Sequence, residues 1–322
     1  MLPAVRLPGY APRGVRLGPT DVYEGFLHPR AYKSRTTGIL QMALVSSIIF
    51  YMTRVAVMAP CQGRSVVRTK DAIVENWLPR YTDTPLAEFG EYILLTNFDN
   101  YVEKFARRFD VPVRGLDRPI QTATHNGLSI INFGIGSASA ATVMNLLLAI
   151  KPKGVLFLGK CDGVKRSTEI GHFILPIAAI RGGGASDDYL PLEVPAMPSF
   201  KLHKFVSSKI VEVGMDYRTS VIYTTSRRVW EHNDRFKERL KSLRVIGVDM
   251  ETATIFAVLV ANQIPRGALL LVSDAPMTPE GVKTERSDRA VTDRYVNLHL
   301  EIGIEAMSEI GVKGEQIKHF TY

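Results

Sequence analysis

Four short runs concentrate the residues that could do chemistry: Gly134-Ile-Gly-Ser137, Gly159-Lys-Cys-Asp-Gly163, Asp249-Met-Glu-Thr252 and Ser273-Asp-Ala-Pro276. The last two carry carboxylates directly after apolar stretches. A carboxyl closed off at a buried strand end has its pKa raised, so it can hold a proton near neutrality and act as a general acid. Blander readings exist for each. Asp274 could be a helix N-cap, and Glu251 could complement a helix dipole from its first turn. Ala275-Pro-Met-Thr-Pro279 argues against a helix starting at Asp274, and two acids flanking Met250 crowd a mere cap. The glycine turn lacks the third glycine and the following acid of a dinucleotide-binding fingerprint, so it reads equally as a tight packing corner. Lys160, Arg181, Arg227 and Arg228 are cations that could hold an anionic ligand. His232 reads as a surface residue.

The apolar runs that must position these groups alternate with helical patterns. Strands are predicted over 91–96, 128–133, 155–158, 173–180, 220–224, 245–249 and 267–273. The 173–180 run should bend or split, because Pro176 cannot donate to a ladder. Helices are predicted over 71–78 with a stop at Pro79, 100–109, 140–149, 200–213, 251–262 and 288–310. Continuous apolar strands alternating with helices imply an α/β fold around a buried, largely parallel sheet. In such sheets ligands sit at the carboxyl ends of the strands, where all four runs fall.

Charge separates the chain into two parts. Residues 1–66 carry +6 of the formal +8, and residues 67–322 are nearly balanced. The body therefore lacks the bulk electrostatic footprint of a nucleic-acid binder. The only cysteines are Cys61 and Cys161, which excludes a disulfide framework and fits a reducing, cytoplasmic setting. No cysteine–histidine cluster has metal-ligand spacing, and neither a metal nor a cofactor is expected. The uncharged run 36–53 is barely of membrane-spanning length and Arg54 interrupts its continuation. The expectation is that residues 1–66 are a non-native or poorly ordered extension, with Val67 as a candidate start, and that membrane attachment does not occur. A chain beginning at Val67 should be as active as any longer form. Full-length protein recovered in a salt-resistant membrane pellet would show instead that 36–53 is an anchor.

Taken in order, Gly-x-Gly-Ser, Gly-x-Cys-x-Gly, Arg-x-x-Gly-x-Ser, Met-Glu-Thr-Ala and Ser-Asp-x-Pro resemble the hexameric type of the nucleoside phosphorylase and nucleosidase family. Ile177–Gly182, Asp188–Pro195, Tyr223–His232 and Ile264–Asp274 are similar to its short-form AMP nucleosidase branch, over about residues 67–322. The resemblance implies a three-layer nucleoside phosphorylase-like fold with a central mixed, largely parallel sheet, and a homohexamer built from dimers. It implies hydrolysis of AMP to adenine and ribose 5-phosphate. It places Asp274 as the acid that protonates purine N7 and Glu251 on the ribose hydroxyls, with Met250 against the sugar. Ser273 and Gly134, in the same motifs, are expected at the substrate. The 5′-phosphate would fall to Lys160, Arg181, Arg227 and Arg228, and the Trp230 ring could stack on the purine. Asp99 is a weak candidate for the base that activates water.

Three positions in two motifs depart from the family pattern. Asp162 stands where glycine is usual, and Gly183 and Ala185 stand where Glu and Thr are usual. These departures leave two alternatives open beside AMP hydrolysis. One is a phosphorylase or nucleosidase acting on a non-phosphorylated nucleoside. The other is a non-catalytic nucleotide-binding relative.

Overall fold

A computed structural model of the chain describes residues 69–278 and 281–313. The extension 1–66 and its apolar run 36–53 lie outside the described residues. No helix among the described residues is long and apolar enough to cross a membrane.

Eight strands form one mixed sheet: β1 (Tyr92–Thr96), β2 (Gln121–His125), β3 (Leu128–Asn132), β4 (Gly154–Gly163), β5 (Phe173–Gly182), β6 (Tyr217–Thr225), β7 (Gly247–Asp249) and β8 (Arg266–Asp274). Their order is β2-β3-β1-β4-β7-β6-β5-β8, and β4 also pairs with β8. Five pairings are parallel (β1–β3, β1–β4, β4–β8, β5–β6, β6–β7), and β2–β3, β4–β7 and β5–β8 are antiparallel. Strands β4, β8, β5, β6 and β7 thereby close on themselves. A register shift between Cys161 and Asp162 lets the end of β4 face both β8 and β7.

Seven helices cover the sheet: α1 (Lys70–Thr82), α2 (Asp99–Phe109), α3 (Ser137–Leu146), α4 (Phe200–Glu212), α5 (Asp234–Ser242), α6 (Thr252–Ala261) and α7 (Glu285–Lys313). Side chains alternate across a strand, and the core divides accordingly. Ile93, Leu95, Val155, Phe157, Ala268, Leu270 and Val272 face α1, α3 and α6. Leu94, Leu156, Leu158, Leu269 and Leu271 face α2, α4 and α7. Strands buried on both faces explain why their sequences read as unbroken apolar runs.

The expected three-layer α/β architecture is present, with several local corrections. Pro79 does not stop the first helix, which runs to Thr82 and ends where Asp83 turns left-handed at φ 53°. Leu78 and Thr82 are both buried, so packing on either side of the proline outweighs the one helical hydrogen bond it forfeits. Strand β4 continues through the run taken as its end, so Lys160, Cys161 and Asp162 are strand residues. Strand β2 went unread, although Asn126-Gly127, with φ of 45° and 77°, is the turn chemistry of a tight hairpin. Helix α5 also went unread.

His299 ties three elements together in the core. Its Nε2–H donates to the Leu269 carbonyl at 2.9 Å, so its Nδ1 accepts from the Tyr101 hydroxyl at 2.8 Å. Burial holds the imidazole neutral by pushing its pKa down to about 4. His299→Leu would orphan both partners, at roughly 1–3 kcal/mol each. A lower urea midpoint with an unchanged m-value is the expected readout, and an unchanged midpoint would contradict this account.

Candidate active site

The carboxyl ends of β4, β6, β7 and β8 meet in one cleft. Lys160 and Asp162 from β4, Arg227 and Arg228 after β6, Met250 and Glu251 after β7, and Ser273 from β8 all line it. Thus most of the residues singled out in the sequence converge, though they are spread over more than 110 positions of the chain.

The β7–α6 junction sets Glu251. The work of capping α6 falls to Asp249: its Oδ2 accepts from the Thr252 amide at 2.7 Å and from the Thr252 hydroxyl at 2.5 Å, and its Oδ1 accepts from Thr224 at 2.6 Å. Glu251 makes no cap hydrogen bond to its own helix. Its carboxylate instead accepts from the Gly136 amide at 2.7 Å. Burial, then the neighbouring Asp249 carboxylate, pushes the Glu251 pKa up to about 8, against the Gly136 and Met250 amides and Arg228, which pull it down. The reading of Glu251 as a first-turn dipole residue is therefore displaced by Asp249, which fills that need.

The glycine turn contributes through Gly136, not Gly134. Gly134 has φ 79° and shapes the turn, but it does not line the cleft. Gly136, at φ 95°, aims its amide at Glu251. Ser137 completes the junction by donating to the Met250 carbonyl at 2.7 Å. Gly183 packs behind it: a Cβ there would lie 2.7 Å from Ser137 Oγ. The glutamate usual at this position in the family would not fit without a shift.

At the end of β8, Asp274 is buried and sits just behind the cleft wall formed by Ser273, Asp162 and Lys283. Ser273 donates to its Oδ1 at 2.7 Å, and Lys283 Nζ lies 3.5 Å from the same oxygen. No helix begins there. The chain turns back, with the Ala275 amide donating to the Gly281 carbonyl, and α7 starts only at Glu285. This removes the N-cap reading of Asp274. Asp162 is the register partner of Asp274 across β4–β8. Burial, then the Asp274 charge, pushes Asp162 up to about 8.

The groups expected at the phosphate and the purine differ in how their side chains are already engaged. The Arg181 guanidinium is spent on its own loop, donating to the carbonyls of Ser186, Leu190 and Pro191 and pairing with Asp187 at 3.1 Å. It does not line the cleft and serves as a loop clamp. Trp230 lines the cleft but is 2% exposed, packs edge-on against Phe236, and donates from Nε1 to Asp162 Oδ2 at 3.0 Å. Lys160 reaches the cleft but is already held by Asp288 and Thr292, each at 3.0 Å. Burial lowers its pKa in spite of Asp288. Arg227 and Arg228 are exposed, line the cleft, and have no ion-pair partner among the described residues. Asp99 accepts from Asn132 and borders a neighbouring groove, not the cleft. His232 is exposed, as read.

Sequence reading missed Lys283, Asp249 and Asn97. The first lies in an irregular loop with no pattern to mark it. The second was visible as the leading acid of Asp249-Met-Glu251 but not separable from Glu251. The Asn97 Oδ1 atom is buried at the cleft wall without a hydrogen-bond partner among the described residues, a group that a polar ligand would satisfy.

A family model described as the phosphorylase superfamily matches residues 91–307. The Escherichia coli (strain K12) AMP nucleosidase is 27% identical over 286 residues, which cover 74% of this chain and 59% of that protein. The chain thus spans well under two thirds of the length of that relative. A crystal structure of AMP nucleosidase from Bacteroides thetaiotaomicron is 51% identical, covers 76% of this chain and 98% of its own, and superposes with a TM-score of 0.68. A Vibrio fischeri uridine phosphorylase structure shares the fold at 19% identity, covering 70% of this chain and 93% of its own, with a TM-score of 0.61.

Proposed function

The chain belongs to the phosphorylase superfamily, and from that membership we propose that it hydrolyses the N-glycosidic bond of AMP, releasing adenine and ribose 5-phosphate. One observation carries the reading furthest. Asp162 on β4 and the buried Glu251 line the same cleft, buried Asp274 on β8 lies just behind its wall, and the rim bears two arginines with no ion-pair partner among the described residues. The similarity to AMP nucleosidases of two bacteria supports the choice of nucleotide.

Adenine leaves poorly as an anion. Protonation of N7 lets it depart neutral, and Asp274 is the proposed donor. As the bond lengthens, the ribose gains oxocarbenium character. Glu251, ionised once it grips the 2′ and 3′ hydroxyls, orients the sugar and offsets the developing charge. Met250 packs against the ribose from the same junction. Arg227 and Arg228 receive the 5′-phosphate as a guanidinium pair, a geometry suited to phosphate oxygens. Lys160, neutralised by Asp288, steadies the wall between Phe98 and α7 instead of competing for that charge.

The test is product analysis of the purified protein with AMP, adenosine and uridine, with and without inorganic phosphate. Adenine and ribose 5-phosphate from AMP in phosphate-free buffer are expected. Turnover only when phosphate is added would make the protein a phosphorylase, and no turnover of any nucleoside or nucleotide would leave a binding protein. Assembly into a homohexamer, checked by light scattering, belongs to the same reading.

A further inference from the structure

Asp162 is a second carboxyl in direct partnership with Asp274, and the proton transfer outlined above makes no use of it. The two are paired in register across β4–β8, which sets their carboxyls side by side in a largely buried setting. Two neighbouring carboxylates repel, which favours a proton on one of them. The surroundings decide which. Asp274 is flanked by two donors, the Ser273 hydroxyl at 2.7 Å and the Lys283 ammonium at 3.5 Å. Among the described residues Asp162 accepts from a single donor, Trp230 Nε1 at 3.0 Å from Oδ2. With fewer donors around it, Asp162 is the carboxyl of the pair that carries the proton. The remaining titratable neighbours are Cys161, kept as a thiol by burial, and Asp249 on β7, whose own pKa burial raises. Neither supplies a positive charge; Lys283, which sits against Asp274, is the cation that pulls the Asp162 pKa down, and burial outweighs it.

The geometry points to Asp162 as a positioning residue that acts through Asp274. The two share one proton, which Asp162 holds while the cleft is empty and returns to Asp274 as Asp274 protonates the purine. This rests on the N-glycosidase reading of the cleft. The step balances with water as the only co-reactant. One proton passes from the pair to N7, and the electrons of the C1′–N9 bond leave with the base. Water adds its hydroxide to C1′, and the remaining proton recharges the pair. During the interval when both carboxyls are ionised, Lys283 is the neighbouring counter-charge.

The chain has only two tryptophans, so Trp77→Phe identifies the Trp230 indole N–H resonance. Because that N–H donates to Asp162, its chemical shift reports the charge on Asp162 without any turnover. In the substrate-free protein the resonance should titrate with a midpoint near 8, and the titration should vanish in Asp162→Asn. The alkaline limb of kcat for AMP gives a second readout. Asp162→Asn should move it down by about one pH unit or more, because Asp274 loses a carboxyl neighbour and gains an amide donor. Trp230→Phe should move it up, because the donor favouring ionised Asp162 is gone. If Asp162→Asn fails to fold, Trp230→Phe carries the kinetic test alone. A uniform loss of kcat at every pH with the limb unmoved, or an indole resonance flat between about pH 5 and 9, overturns the shared proton. A titrating indole in a wild type that releases no adenine from AMP supports the shared proton and defeats only the N-glycosidase reading.

Discussion

Asp274→Asn is expected to lower turnover of AMP by roughly a hundred- to ten-thousandfold, the usual contribution of general acid catalysis, while leaving the fold intact. The amide is nearly isosteric with the acid. Its oxygen can keep the Ser273 hydrogen bond, so the buried end of β8 loses no partner there. The transferable proton disappears, together with the carboxylate charge beside Lys283. The proposed donor cannot be replaced by the cap chemistry first considered for this position, because the chain after Asp274 turns back on itself and no helix starts there. Adenine release measured in single-turnover mode, beside a thermal melt, separates chemistry from folding. Activity within several-fold of wild type, with an unchanged melting temperature, would remove Asp274 from the role. The burden would then fall on Asp162, the carboxyl that itself lines the cleft.

Replacing Arg227 and Arg228 together by alanine should collapse the preference for AMP over adenosine. A charge-assisted hydrogen bond contributes about 1.5–3 kcal/mol, so losing two such contacts should lower the ratio of kcat/KM values by at least about tenfold. Both side chains are exposed at the cleft rim, so their removal leaves no cavity and no buried orphan. Loss of Arg228 also removes one of the charges that hold the Glu251 pKa down. That effect bears on the ribose contact of both substrates and cancels in the ratio. Arg181→Ala is the contrasting control. Its guanidinium closes the 186–194 loop, so it should destabilise the protein without a comparable change in the ratio. A double variant with an unaltered ratio would place the phosphate elsewhere, with Lys160 the next cation along the wall.

Sequence pattern alone determined the class of fold and singled out the strand ends that meet in the candidate cleft. Strands such as 267–273 are apolar on both faces, and only a sheet covered on two sides buries such a run. That is a local property, visible residue by residue. The carboxylates of Asp249-Met-Glu251 and Ser273-Asp274 stand at the ends of such strands, and strand ends are where α/β sheets place ligands. So Glu251, Met250, Ser273 and the arginine pair could be named before any coordinates. What the pattern could not decide was which polar group each side chain spends its hydrogen bonds on. Arg181, Lys160 and Trp230 have the right types for a nucleotide site, yet their partners lie at Leu190, Asp288 and Asp162. Those pairings depend on where a loop, a helix and a neighbouring strand come to rest. The division of labour between Asp249 and Glu251 was settled in the same way, by Thr224 on β6 and Gly136 before α3. Asp162 shows the limit most sharply. In the chain it is one departure from a family pattern, 112 positions before Asp274. Only a parallel β4–β8 pairing with its register shift sets the two carboxyls side by side, where burial and the neighbouring Asp274 charge push the Asp162 pKa up.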